Sequence, residues 1–173
     1  MRHVTLITTG GTIEKTYDEQ TGELANRRSV VRRMLRRLRL EDATVSTIEL
    51  LSKDSLHMTE DDRTAIVEAC RAAGAERAGQ AAGTGVVVLH GTDTLAVTGE
   101  RLHKDLPGLT VPVVLTGAMR PFEMNRSDAL QNLTEAIFAT GVLLPGVYAV
   151  AHGRVLKFPG VRKDRERGTF VHA

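Results

Sequence analysis

The chain is short of the residues that build staples, anchors and aromatic clusters: its 173 residues include one cysteine, no tryptophan and two tyrosines. Cys70 alone cannot close an internal disulfide, and the opening MRHVTLITTGG has no apolar stretch leading to a small-residue cleavage site. Both features argue against secretion and for the cytoplasm. No apolar run approaches the ~18 residues of a membrane span. Charge of one sign is also missing, since 23 Lys+Arg stand against 21 Asp+Glu for a net +2. Such a balance gives no general pull toward nucleic acid or a membrane surface. The 42% hydrophobic and 25% charged residues place the chain in the globular class. A chain of this length buries roughly 70% of its unfolded surface without disulfides, so one domain over 1–173 is expected.

Short β-branched runs at 4–7, 45–51, 86–89, 111–115 and 147–151 alternate with segments of helical period at 29–40, 60–74, 95–106 and 126–140. This alternation predicts an α/β fold: an open parallel sheet with helices on both faces, in the Rossmann or flavodoxin-like manner. Ser127 and Asp128, and Thr59 followed by Glu60, Asp61 and Asp62, read as helix caps and first turns. The Gly/Ala-rich stretch 74–85 reads as a mobile, functionally neutral connection. The first helix carries Val30, Val31, Met34, Leu35 and Leu38 on one stripe and Arg28, Arg32, Arg33, Arg36, Arg37 and Arg39 elsewhere. Arginines that pair with carboxylates on a neighbouring element explain that face more simply than an anionic partner.

Three predicted strands run into polar, glycine-containing turns: TTGGT (8–12), HGTDT (90–94) and TGAMRP (116–121). In an open parallel sheet such turns converge at the carboxyl ends of the strands, where ligands bind. Thr12, Thr92, Asp93 and Ala118 therefore share a rim. Glycine lets backbone N–H groups approach a ligand, and threonine or aspartate beside it offers groups the core does not need. TTGGT matches neither the dinucleotide nor the P-loop fingerprint, and no cofactor is expected. The six histidines show no metal-ligand spacing, so no metal is expected. Cys70 falls on a helical stripe with Ala65, Ile66, Ala69 and Ala73 and reads as a small core residue.

TGGTI at 9–13, HGTDT at 90–94, GAMRP at 117–121 and SDALQNLTEA at 127–136 occur together and in order. In this the sequence resembles the bacterial L-asparaginases and similar amidohydrolases, over nearly its whole length. The resemblance covers the larger, N-terminal domain of the usual member; the family's further C-terminal domain has no counterpart here. It implies conversion of L-asparagine to L-aspartate and ammonia, with Thr12 as nucleophile and an acyl-enzyme intermediate. A threonine hydroxyl needs an adjacent base or relay. The resemblance offers Tyr17 on the loop after the first turn, and Thr92 and Asp93 with Lys163 of FPGVRKD. Tyr148, inside a strand pattern, competes with Tyr17, and Lys157 competes with Lys163.

By the same resemblance, Asp93 faces the substrate ammonium. Asp54 and Ser55 of DSLHM match the family's carboxylate-binding segment, in which Leu56 and His57 depart from the pattern. An alternative register uses Ser52 and Lys53. Gly91 joins the substrate-binding positions, and the backbone N–H groups of Thr92 and Ala118 would hold the oxyanion. Met119 and Arg120 read as braces of their turn, with Arg120 a partner for carboxylates. A homo-oligomer whose interface covers the crevice is expected, through the arginine-rich helix or the apolar end of the chain. Two other readings stand beside the asparaginase one: a non-catalytic amino-acid-binding domain, and a glutamine-directed ammonia generator working with a partner.

Overall fold

Valine-rich runs with no polar break have no face to offer solvent, and here they form the middle of one sheet. A computed structural model describes residues 1–81 and 83–172. The first half contains β1 (Arg2–Gly10), the hairpin β2 (Thr16–Asp18) and β3 (Glu23–Ala25), α1 (Val31–Leu35), β4 (Ala43–Lys53) and α2 (Glu60–Ala72). The second contains β5 (Gly85–Leu89), α3 (Leu95–Asp105), β6 (Pro112–Thr116), α4 (Ala129–Ala139), β7 (Gly146–Ala151), β8 (Arg154–Lys157) and the hairpin β9 (Val161–Asp164) and β10 (Thr169–His172).

The sheet runs β4-β1-β5-β6-β7-β8, parallel throughout except for β8, which returns antiparallel on β7. Every residue of β5 and β6 is buried. Alternate side chains of these strands feed two cores. Ile7, Val86, Val88, Val113 and Leu115 pack with Ile66 and Cys70 of α2 and Leu95 and Leu102 of α3. Val4, Leu6, Val87, Leu89 and Val114 pack with Val31 and Met34 of α1 and Leu133, Ala136 and Ile137 of α4. The open sheet with helices on both faces is thus as expected. The antiparallel β8 and the two hairpins were not foreseen, because each is only three or four residues long and carries no apolar run.

Two further expectations change. The helix over 29–40 shrinks to the five residues of α1, with Leu38 N–H closing on Leu35 O in a tighter turn. Arginines at Arg32/Arg36 and Arg33/Arg37 repel at i,i+4, and positive charge in the first turn opposes the helix dipole. The arginines do find partners: Arg32 reaches Glu49 of β4 at 4.0 Å, while Arg33 and Arg37 lie over the Phe122 ring. In the stretch 74–85, Ala75 is fully buried and its carbonyl accepts from Thr110 N–H at 2.9 Å. That end of the connection is part of the core, and its residue 82 lies outside the described residues. Among the described residues, no helix is long and apolar enough to cross a membrane.

Candidate active site

The strand order reverses between β1 and β5: the chain leaves β1 for β4 on one side, then crosses back from β4 past β1 to β5 on the other. A parallel sheet opens a crevice at the carboxyl ends of its strands at such a point. Thr12 and Thr92 follow those two ends. The pairing of β1 with β4 shifts register between Thr8 and Gly10, which tilts the turn away from the ladder. Gly11 has φ 77°, and a β-carbon there would sit 2.4 Å from Gly91 Cα. The two turns therefore touch backbone to backbone, where only glycine fits. Thr12, half buried, opens a single 3-10 turn, Thr12–Glu14.

That turn is fixed from below. Buried Glu14 accepts from Gly10 N–H at 3.2 Å and from the Ser29 hydroxyl, and Asn26 Nδ2 donates to Gly11 O at 2.8 Å. Burial pushes the Glu14 carboxyl above its ordinary value, against the pull of its hydrogen bonds. On the other side, His90 is fully buried, with Nδ1 2.8 Å from Gly91 O and Nε2 2.8 Å from Thr98 Oγ1 on α3. A carbonyl only accepts, so Nδ1 carries the proton and Nε2 accepts from the Thr98 hydroxyl. Burial lowers the His90 pKa to about 4, which keeps the ring neutral.

Lys163 arrives from β9, directly opposite Phe170 of β10. Its Nζ donates to Thr92 Oγ1 at 2.8 Å and to Asp93 Oδ1 at 2.9 Å, and Arg165 reaches the same Asp93 oxygen at 3.2 Å. The hairpin is moored to α3 by Gly160 N–H, which donates to Glu100 at 2.6 Å. Lys157 lies instead over the Tyr148 ring, 5.9 Å from its centroid, and Tyr148 is buried on β7. Neither joins the cluster.

Ser55 is buried in a second 3-10 turn, close enough that a β-carbon on Gly91 would come within 2.5 Å of its Oγ. Asp54 caps this turn, with Oδ1 accepting from Leu56 N–H at 3.0 Å and Oδ2 from Lys15 Nζ at 2.6 Å. The Lys15 bond, with the cap behind it, holds the Asp54 carboxyl below the usual range. Ser52 and Lys53, the alternative register, end β4, and Lys53 pairs with Asp62 of α2 at 2.8 Å. Ala118 is buried in the turn after β6, and a β-carbon on the preceding Gly117 would meet His90 O at 2.3 Å. Three rim turns are thus packed on one another.

Tyr17 stands apart. It is 58% exposed on β2, opposite Leu24, with its N–H on Glu123, and it is not part of the Lys163–Thr92–Asp93 cluster. The Arg120 guanidinium turns to Asn125 O at 3.5 Å rather than to a carboxylate; its backbone N–H is what meets one, on Asp128 at 3.1 Å. Cys70 is buried and its thiol is pushed up to about 12 by desolvation, as suits a core residue. Sequence reasoning passed over Lys15, the His90–Thr98 clamp and His152. The i,i+4 spacing of Asp128 and Asn132 was visible, but their partner His152 lies twenty residues beyond Asn132.

Residues 3–169 match the family described as "Asparaginase, N-terminal". The chain belongs to the asparaginase family. It is 31% identical to an L-asparaginase of Thermococcus kodakarensis over 160 residues, which are 92% of this chain and 47% of that protein. It is also 35% identical to a glutamyl-tRNA(Gln) amidotransferase subunit of Aeropyrum pernix, over 93% of this chain and 40% of that one. The solved thermostable L-asparaginase of T. kodakarensis superposes with a TM-score of 0.81 at 28% identity, covering 98% of this chain and 51% of its own. L-asparaginase I of Vibrio cholerae shares the fold with a TM-score of 0.78 at 24% identity, covering 98% of this chain and 51% of its own. This asparaginase-family chain spans about half the length of these proteins.

Proposed function

We propose that the chain hydrolyses the side-chain amide of L-asparagine through an acyl-enzyme on Thr12. The observation that carries this reading is Lys163 Nζ, 2.8 Å from Thr92 Oγ1 and 2.9 Å from Asp93 Oδ1, on the turn whose Gly91 abuts the turn of Thr12. Thr12 Oγ attacks the amide carbon and gives up its proton. The developing oxyanion is held by the backbone N–H groups of Thr92 and Ala118. The C–N bond breaks, the proton reaches the leaving nitrogen, and ammonia departs from an ester on Thr12. Water then adds to the ester carbon, transfers a proton through Thr92 and Lys163 back to Thr12, and aspartate leaves. Asp93 takes the substrate ammonium, and Ser55, on its capped turn with Asp54, takes the α-carboxylate. Tyr17 enters only if its hairpin folds over the crevice.

A second reading, glutamine-directed ammonia supply to a partner protein, is favoured by the similarity to the A. pernix amidotransferase subunit. Ammonia release from L-asparagine, L-glutamine and D-asparagine separates the two. L-asparagine is expected to be hydrolysed fastest; release from L-glutamine alone moves the assignment to the second reading. We also propose self-association that covers the crevice, checked by light scattering on active protein. A fully active monomer would overturn it.

A further inference from the structure

The Asp128 carboxylate gathers bonds from parts of the chain that are distant in sequence. It accepts from the backbone N–H groups of Met119 at 3.0 Å and Arg120 at 3.1 Å, the two residues after Ala118. It also accepts from Asn132 Nδ2 at 3.0 Å and meets His152 Nε2 at 2.7 Å. Asn132 is itself buried, donates to Gly117 O at 2.8 Å and accepts from the backbone N–H of His152 at 3.0 Å. The rim turn of Ala118 is thus gripped at positions 117, 119 and 120 by one residue pair at the start of α4.

His152 carries the grip further. It sits in the β7–β8 turn with φ 54°, a left-handed backbone that is uncommon outside glycine and that histidine and asparagine adopt more readily than most residues. Its Nε2 donates to Asp128 while its Nδ1 lies 3.1 Å from Thr169 Oγ1. Thr169 opens β10 and pairs with Asp164, the neighbour of Lys163. We propose that Asp128 and His152 are positioning residues that hold the Ala118 turn and the Lys163 hairpin in fixed relation. The role rests on the amidohydrolase reading given above. Neither group touches the reacting atoms. Misplacing a backbone donor or the relay lysine by a fraction of an ångström costs transition-state stabilisation more than substrate binding.

The test uses His152→Asn, which tolerates the left-handed backbone but is too short to span Asp128 and Thr169, together with Asp128→Asn, Thr169→Val and Thr169→Ser. Amide hydrogen exchange is read at Met119, Arg120 and Phe170, with β5 as the internal control. Protection is expected to fall at those three positions in His152→Asn and Thr169→Val, to stay in β5, and to return in Thr169→Ser. In the same proteins kcat for ammonia release is expected to fall roughly 10- to 100-fold with KM within about twofold, again restored by serine. Unchanged protection in His152→Asn overturns the coupling whatever the activity. Lost protection with unchanged kcat overturns the positioning role. If the unsubstituted protein releases no ammonia, the amidohydrolase reading fails, and hydrogen exchange still decides whether the two loops are coupled.

Discussion

At the scale of single residues, two buried titratable groups pull stability in opposite directions with pH. His90 has a folded pKa of about 4 against an ordinary 6.5, so its contribution is fully present above 6.5 and is lost as pH falls toward 4. The loss is on the order of 3 kcal/mol. Glu14 is shifted upward, so the folded state favours its protonated form, and stability drains as pH rises from 4.5 through the raised value. Urea unfolding of His90→Gln between pH 7 and 4 is expected to show a flatter acid limb than the parent protein; an identical limb would contradict the neutral, buried imidazole. Lys163→Met removes the donor shared by Thr92 and Asp93 but leaves Arg165 on Asp93. Folding should survive while kcat falls by about 10²- to 10⁴-fold. A variant with parental kcat would remove Lys163 from the relay.

At the scale of elements, α3 approaches the chain leading to β9 through Gly99. A β-carbon there would sit 2.0 Å from the Phe158 ring, which is almost fully buried. Alanine in a helix interior gains about 1 kcal/mol over glycine, whereas overpacking a rigid ring costs about 1–3 kcal/mol. The steric cost wins, so Gly99→Ala is expected to lower the urea midpoint; a raised midpoint would mean that the ring yields easily. The central strands β5 and β6 were legible because their full burial writes them as valine runs, and the longer helices because their apolar stripes are long. The hairpin carrying Lys163 was not legible. Its strands are four residues each, and what holds them, such as Gly160 on Glu100, lies sixty residues away in sequence. The failed 29–40 helix is similar: its stripe is real, but like charges along the other face end it early.

At the scale of the whole molecule, the sheet order puts the chemistry where it is. Reversal between β1 and β5 brings the turns of Thr12 and Thr92 together, and the packing of Gly11 on Gly91 and Gly117 on His90 locks three rim turns into one surface. The candidate site was legible wherever a motif sits on one of those turns. It was not legible where contact depends on the path of the chain between them, as with Lys15 on Asp54 or His152 on Asp128. Thr12, Thr92, Asp93 and Lys163 all belong to a chain that spans about half of its relatives. If the proposed mechanism holds, this chain carries the reaction with its own residues. The measurement that tests this most directly is ammonia release from L-asparagine by the purified chain and by Thr12→Ala prepared in parallel. Release by the parent that falls at least roughly 10³-fold in the variant is the predicted result. Equal release from both, or none from a folded parent, would contradict it.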